Sequence, residues 1–152
     1  SMIFLYLNKF INMNSYKSIV LFFLFPFFLC SQQFGDSKSQ VKSKLSVNYG
    51  YPKGWVEDDS TLYGVSDFGV LIFGFKNNYL ISKGYTNKQS SLDSGFEEMK
   101  SLEDKFRNLG LSIRYSKSTL IASYSKKHYI TVKLSKKVDG SVMLAHIEFY
   151  EQ

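Results

Sequence analysis

Residues 111–150 read LSIRYSKSTLIASYSKKHYITVKLSKKVDGSVMLAHIEFY. Apolar residues alternate with polar ones along most of this stretch, and turn residues interrupt it at regular intervals. That pattern predicts a four-stranded antiparallel meander over about 111–150. A two-residue loop at Lys117-Ser118 pairs Tyr115 with Leu120, Ile113 with Ala122 and Leu111 with Tyr124, all on one face. A three-residue loop at Ser125-Lys126-Lys127 carries the same face into the next strand. Asp139-Gly140 is a strong type I′ signal. Closing a two-residue loop there sets Leu134 opposite Ala145, Val132 opposite Ile147 and Ile130 opposite Phe149. Register matters because a slip of one residue moves every side chain to the other face.

The segment before the meander supplies the layer that covers it. Leu92, Phe96, Met99, Leu102, Phe106 and Leu109 fall at steps of three and four, one apolar stripe on a helix of about 94–109. Ser94-Gly95-Phe96-Glu97 matches a capping box, and Gly110 suits the left-handed C-terminal position. The fold class expected is therefore α+β, a two-layer sandwich of an antiparallel sheet on an amphipathic helix.

Upstream, Val41, Leu45 and Tyr49 lie four apart and predict a short helix, stopped by Gly50 and Pro52. Extended runs follow at about Leu62–Ser66, Gly69–Lys76 and Tyr79–Tyr85. Asn77-Asn78 reads as a two-residue hairpin turn, because Asn tolerates positive φ. The two halves then look alike, each a helix followed by three or four strands. Asn48-Tyr49-Gly50-Tyr51 echoes Asn108-Leu109-Gly110-Leu111 at the two helix ends. A tandem α-β-β-β layout resembles the two-layer folds of secreted β-lactamase-inhibitor-like and small outer-membrane lipoprotein domains. The likeness is topological, without a shared motif, and implies no function.

An export signal precedes the domain. Ile19 to Leu29 are apolar without a break, follow Lys17 and run into Cys30, the chain's only cysteine. As a helix this run spans about 17 Å, too short for a hydrocarbon core of about 30 Å, so it reads as a signal-peptide h-region. The expected organisation is residues 1–12 as a tag scar or upstream sequence, 13–31 as a signal peptide starting at Met13, 32–40 as a polar tether and 41–152 as one domain. Cleavage after Ser31 would leave Gln32 as the new terminus. Lipidation at Cys30 is the alternative, although Leu29 is not the small residue such signals favour. Either way the protein is exported to the periplasm, the envelope or the exterior.

Removing 1–31 leaves 121 residues, enough for one domain, with 17 basic and 13 acidic side chains, a net charge of +4. That mild excess sits in scattered lysine pairs and does not suggest nucleic-acid binding. With Cys30 in the signal, the domain holds no thiol for disulfides, nucleophilic chemistry or metal. Glu57-Asp58-Asp59 lacks the distal ligand pattern of a calcium loop, and no serine elbow or phosphate-binding glycine loop occurs. No cofactor or metal is expected.

In the register above, His128 shares the core side with Ile130, while His146 shares the outer face with Glu148. That outer face would carry Arg114, Ile121, Tyr129, Thr131, Lys133, Leu144, His146, Glu148 and Tyr150, with cross-strand pairs Tyr129/Tyr150, Thr131/Glu148 and Lys133/His146. Tyrosines around a polar centre match the composition of recognition surfaces. Arg114, Tyr129, Lys133, His146, Glu148 and Tyr150 are accordingly the candidate binding residues. The function expected is non-enzymatic binding of a protein partner, including an immunity or inhibitor role. Membrane contact is expected only through the signal or a lipid on Cys30. The alternatives are a lipid-anchored structural envelope protein and a hydrolase using His146 and Glu148.

Overall fold

The computed structural model describes residues 33–49, 54–65 and 69–151. The expected signal segment, both candidate processing sites and the expected stop at Gly50 and Pro52 lie outside them. The described chain forms helix α1 (Lys38–Tyr49), strands β1 (Gly54–Glu57), β2 (Thr61–Val65), β3 (Gly69–Lys76) and β4 (Tyr79–Gln89), helix α2 (Leu92–Asn108), and strands β5 (Ser112–Ser116), β6 (Thr119–Ser123), β7 (His128–Lys136) and β8 (Val142–Tyr150). All eight strands make one open antiparallel sheet in the order β1-β2-β3-β4-β8-β7-β6-β5. The protein is thus an α+β sandwich, and each half of the described chain contributes one helix and four strands. No described helix is long and apolar enough to cross a membrane.

Turn chemistry fixes most of the registers. Asn77 and Asn78 both lie at positive φ (52° and 63°), and Lys76 pairs with Tyr79 across them. The loops at Lys117-Ser118 and at 125–127 have the expected lengths, so Tyr115/Leu120 and Ile113/Ala122 pair as read from the sequence.

The last hairpin departs from expectation by one residue. Its loop is three residues long, with Lys137 N–H donating to the Ser141 carbonyl at 2.8 Å and Gly140 N–H to the Lys137 carbonyl at 3.0 Å. Only Gly140 takes positive φ, at 85°. Asp139 instead accepts from the Ser141 backbone N–H and hydroxyl at 2.9 and 2.6 Å, which holds a type I turn followed by a glycine bulge. The pairs are therefore Leu134/Leu144, Val132/His146 and Ile130/Glu148, and the expected Leu134/Ala145, Val132/Ile147 and Ile130/Phe149 do not form.

Helix α2 also starts earlier than expected. Ser91, in extended conformation, is the N-cap and accepts from Ser94 N–H at 3.0 Å, so Ser94 lies inside the first turn. Its other end closes as a Schellman motif: Leu111 N–H reaches the Phe106 carbonyl at 3.0 Å, Gly110 N–H reaches Arg107 at 2.9 Å, and Gly110 sits at φ 80°. Met99, Leu102 and Phe106 are buried, whereas Leu92, Phe96 and Leu109 from the same stripe are exposed. Gly95 lies against the sheet, where a Cβ would come within 2.4 Å of Leu134 Cδ1.

Helix α1 begins at Lys38, behind a capping box in which Ser37 N–H donates to Gln40 Oε1 at 2.8 Å and Gln40 N–H donates to the Ser37 hydroxyl at 3.3 Å. Val41 and Leu45 are fully buried. The residues ahead of it are held as well: Gly35 N–H donates to the Leu80 carbonyl and Leu80 N–H to that of Asp36, at 2.9 and 2.8 Å.

Both helices cover one face of the sheet, over two separate apolar cores. The first gathers Val41, Leu45, Leu62, Leu71, Phe73, Phe75, Leu80 and Tyr85; the second gathers Met99, Leu102 and Phe106 with Leu120, Ala122, Ile130, Val132, Leu134, Val142 and Leu144. Strands β4 and β8, paired from Ser82/Phe149 to Gln89/Val142, join the two.

Candidate functional site

The shifted register divides the six candidate residues between two surfaces. Arg114, Tyr129 and Lys133 stay on the outer face, while His146, Glu148 and Tyr150 turn to the helix side, and Leu144 joins the core. The expected pairs Tyr129/Tyr150, Thr131/Glu148 and Lys133/His146 are replaced by Tyr129/Phe149, Thr131/Ile147 and Lys133/Ala145. One loop residue accounts for all of it.

On the helix side, the junction between the cores is polar and aromatic. His128 and Glu148 share one face, contrary to the expected arrangement, and His128 Nε2 lies 2.6 Å from Glu148 Oε1. Tyr124 stacks on the His128 ring at 4.4 Å, and Tyr150 and Phe34 meet it edge-on at 5.5 and 6.1 Å. The contact holds the two side chains together, and the imidazole ring is clamped among aromatics.

His146 takes no part in it. Its ring packs against Tyr85 at 5.2 Å and edge-on against Phe106 at 5.9 Å. Nδ1 is buried without a hydrogen-bond partner. Burial pushes the imidazole down to about 4, against a smaller opposing pull from Glu148, so His146 is neutral at pH 7. Burial also raises the Tyr85 phenol, with a contribution from Glu98. The hydrogen-bond partner of Glu148 is His128, not His146.

The outer face is built in rows across the strands. One runs Ile72, Gly84, Ile147, Thr131, Ile121, Arg114; the next runs Gly74, Ser82, Phe149, Tyr129, Ser123, Ser112. Tyr129 and Phe149 stack at 5.1 Å with their planes 18° apart. Beside them, toward β5, lies a cavity of about 620 Å³ lined by Ser112, Arg114, Ser123, Tyr124, Ser125, Lys126, Tyr129 and Glu151. Tyr129 donates to Glu151 Oε1 at 3.2 Å, and burial, then this carboxylate, raises its phenol.

Sequence reading missed a second concavity, of about 390 Å³, between α2 and the β5–β6 hairpin. Phe96, Met99 and Tyr115 give it an apolar floor, and Lys100, Lys117 and Ser118 complete its lining. Its wall is braced by Glu103, which accepts from Tyr115 Oη at 2.5 Å and from Arg107 at 2.9 and 3.1 Å. Those donors hold the Glu103 carboxyl below its ordinary range, and burial with the Glu103 bond pushes Tyr115 up to about 12. The signal was present in Glu103, Arg107 and Tyr115, but only the fold brings the tyrosine to the helix.

Among the described residues no cluster of three His, Cys, Asp or Glu could hold a metal ion. Comparison with protein-family models, curated proteins and solved structures finds no match.

Proposed function

We propose that this is an exported, non-enzymatic binding protein that contacts a protein partner through the outer face of its sheet. One observation carries the reading. Strand β8 turns Ile147 and Phe149 outward, to the face opposite both described helices, and turns His146 and Glu148 toward the helix side. A sheet serving only its own core would favour the reverse, since burying an Ile or Phe side chain contributes about 1.5–3 kcal/mol and burying an unpaired polar atom costs about 1–3 kcal/mol. Local preference is overridden in this way at surfaces kept for another purpose. Arg114 and Lys133 at the margin give this apolar centre the charged rim of a recognition surface.

The reading includes an immunity or inhibitor protein acting on a secreted toxin or enzyme. To test it, Tyr129→Ser, Ile147→Ser and Phe149→Ser are combined and cross-linked partners are recovered from the exported fraction. Loss of the wild-type partner is expected; an unchanged cross-link would remove the face from consideration. Export is checked by intact mass: a terminus at Gln32 supports a free protein, and a diacylglyceryl mass on Cys30 supports the anchored alternative. The hydrolase alternative would use a Glu148 whose Oε1 is in contact with His128 Nε2.

A further inference from the structure

Strand β5 is one of the two edges of the described sheet, opposite β1, and it lies between two cavities. Among the described residues nothing pairs with its free side. The two-residue loop at Lys117-Ser118 makes Ser116/Thr119 the hydrogen-bonded closing pair, so by ladder alternation Ser112, Arg114 and Ser116 bond β6. Ile113 and Tyr115 then direct their N–H and C=O groups to the open edge. Proteins usually blunt such an edge with proline, a bulge or several charges, and β5 carries only Arg114.

The cavities match the alternation of a strand laid along that edge. The apolar one sits on the helix side at Tyr115, and the polar one sits on the outer side at Ser112 and Arg114. Successive side chains of an extended peptide point to opposite faces at a rise of about 3.3 Å, so neighbouring residues would enter different cavities. Phe96 and Tyr115, 56% and 53% exposed, offer the first of these a large apolar surface.

Charge selects the occupant. Arg114, Lys117 and Lys126 line the two cavities and make no ion pair with a described carboxylate; Lys100 is paired with Asp104 and Glu151 with the Tyr129 hydroxyl. A second copy of this chain is disfavoured, because a two-fold antiparallel pairing of β5 centred on Arg114 would set the two Arg114 side chains against each other. We propose that an extended acidic segment of a partner protein adds to β5 as a ninth strand, placing apolar side chains in the Phe96–Tyr115 cavity and carboxylates in the Arg114–Lys126 cavity. Main-chain pairing supplies affinity and the two cavities supply specificity. This inference rests on the binding reading above and names the partner's chemistry and docking mode.

The test uses the full chain and a capped, fluorescein-labelled peptide alternating valine or phenylalanine with glutamate. Its controls replace glutamate by lysine, or N-methylate alternate amides. Anisotropy is expected to show binding of the acidic peptide, weakened about tenfold or more by either control and by Arg114→Glu with Lys126→Glu. Amide exchange at Ile113 and Tyr115 is expected to slow about tenfold or more on binding. Absence of binding, equal binding of the lysine peptide, or unchanged exchange at both amides would overturn the proposal. Ile147→Ser with Phe149→Ser separates the two readings. Peptide binding unaffected by it supports the edge, whereas its abolition places the peptide on the outer face, overturning the edge and retaining the surface.

Discussion

The N-terminal and C-terminal halves reach the same helix-plus-four-strand arrangement with opposite distributions of bulk. In the first, the sheet supplies the aromatic volume through Phe73 and Phe75, and among the described side chains α1 contributes Val41 and Leu45. In the second, the helix supplies the bulk through Met99 and the aromatic Phe106, over a sheet of Leu, Ile, Val and Ala. Interior packing density fixes the total and leaves the partition free. A helix facing an aromatic sheet needs only a narrow stripe. That explains why α1 gives a faint periodic signal and α2 a clear one.

The most forceful way to break this comparison is to remove the bulk from each half in turn. Phe73→Ala and Phe106→Ala are each expected to cost about 3–5 kcal/mol, since both rings are buried. If the eight rungs between β4 and β8 make the halves one cooperative unit, both variants lower a single unfolding transition, as scanning calorimetry would show. Two resolved transitions in either variant would mean that the halves are independent.

The seam itself is tested at Gly84. A Cβ there would lie 2.1 Å from the His146 carbonyl oxygen and 2.7 Å from Ile147 Cα, and backbone atoms cannot move aside as side-chain ends can. Gly84→Ala is therefore expected to cost about 3 kcal/mol and to reduce cooperativity. Wild-type stability in chemical denaturation would refute the close approach.

His146 sharpens the same comparison, because it stands where the cores meet. Its pKa falls from 6.5 in the unfolded chain to about 4 in the fold, so between these values the unfolded state binds more protons. Stability should hold above pH 6.5 and decline as pH drops toward 4, by at most about 3 kcal/mol. His146→Leu is expected to flatten that decline and to raise stability at pH 7 by about 1 kcal/mol, since it removes the unpartnered Nδ1. An unchanged slope in the pH-dependent midpoint would rule out His146 as its origin.

These positions also show where the sequence was legible. Asn77-Asn78, Lys117-Ser118 and residues 125–127 each connect strands whose alternation agrees with a single loop length, and those registers were readable. At Asp139-Gly140 the same dipeptide serves two loop lengths, and β8 could not arbitrate. Its odd-numbered residues Met143, Ala145, Ile147 and Phe149 are apolar, while Val142 and Leu144 are apolar on the other parity. The faces of Arg114, Tyr129 and Lys133 were legible because they do not depend on β8. Those of His146, Glu148 and Tyr150 do. Strand β1 gave no alternation to read, having only Trp55 partly buried in its four residues.

The smallest test returns to the helix starts, where the halves are most alike. Ser37 and Ser91 each accept from the backbone N–H three residues on, but only Ser37 has a reciprocal partner, in Gln40. Either change to Ala should cost about 1 kcal/mol of local helix stability. The readouts should differ. Helix α2 is 17 residues long, is closed by the Schellman motif and is anchored by Met99, Leu102 and Phe106, so Ser91→Ala should appear as a lower global midpoint. Helix α1 has 12 residues and, among its described side chains, Val41 and Leu45 in the core, with the ion pairs Lys42–Glu57 and Lys44–Asp36 partly open to solvent and worth little each. Ser37→Ala should therefore speed amide exchange in the first turn of α1, by about fivefold, while moving the global midpoint less than Ser91→Ala does. Equal shifts in midpoint, with no local exchange effect at α1, would show that its cap is as tightly coupled to the whole fold as that of α2.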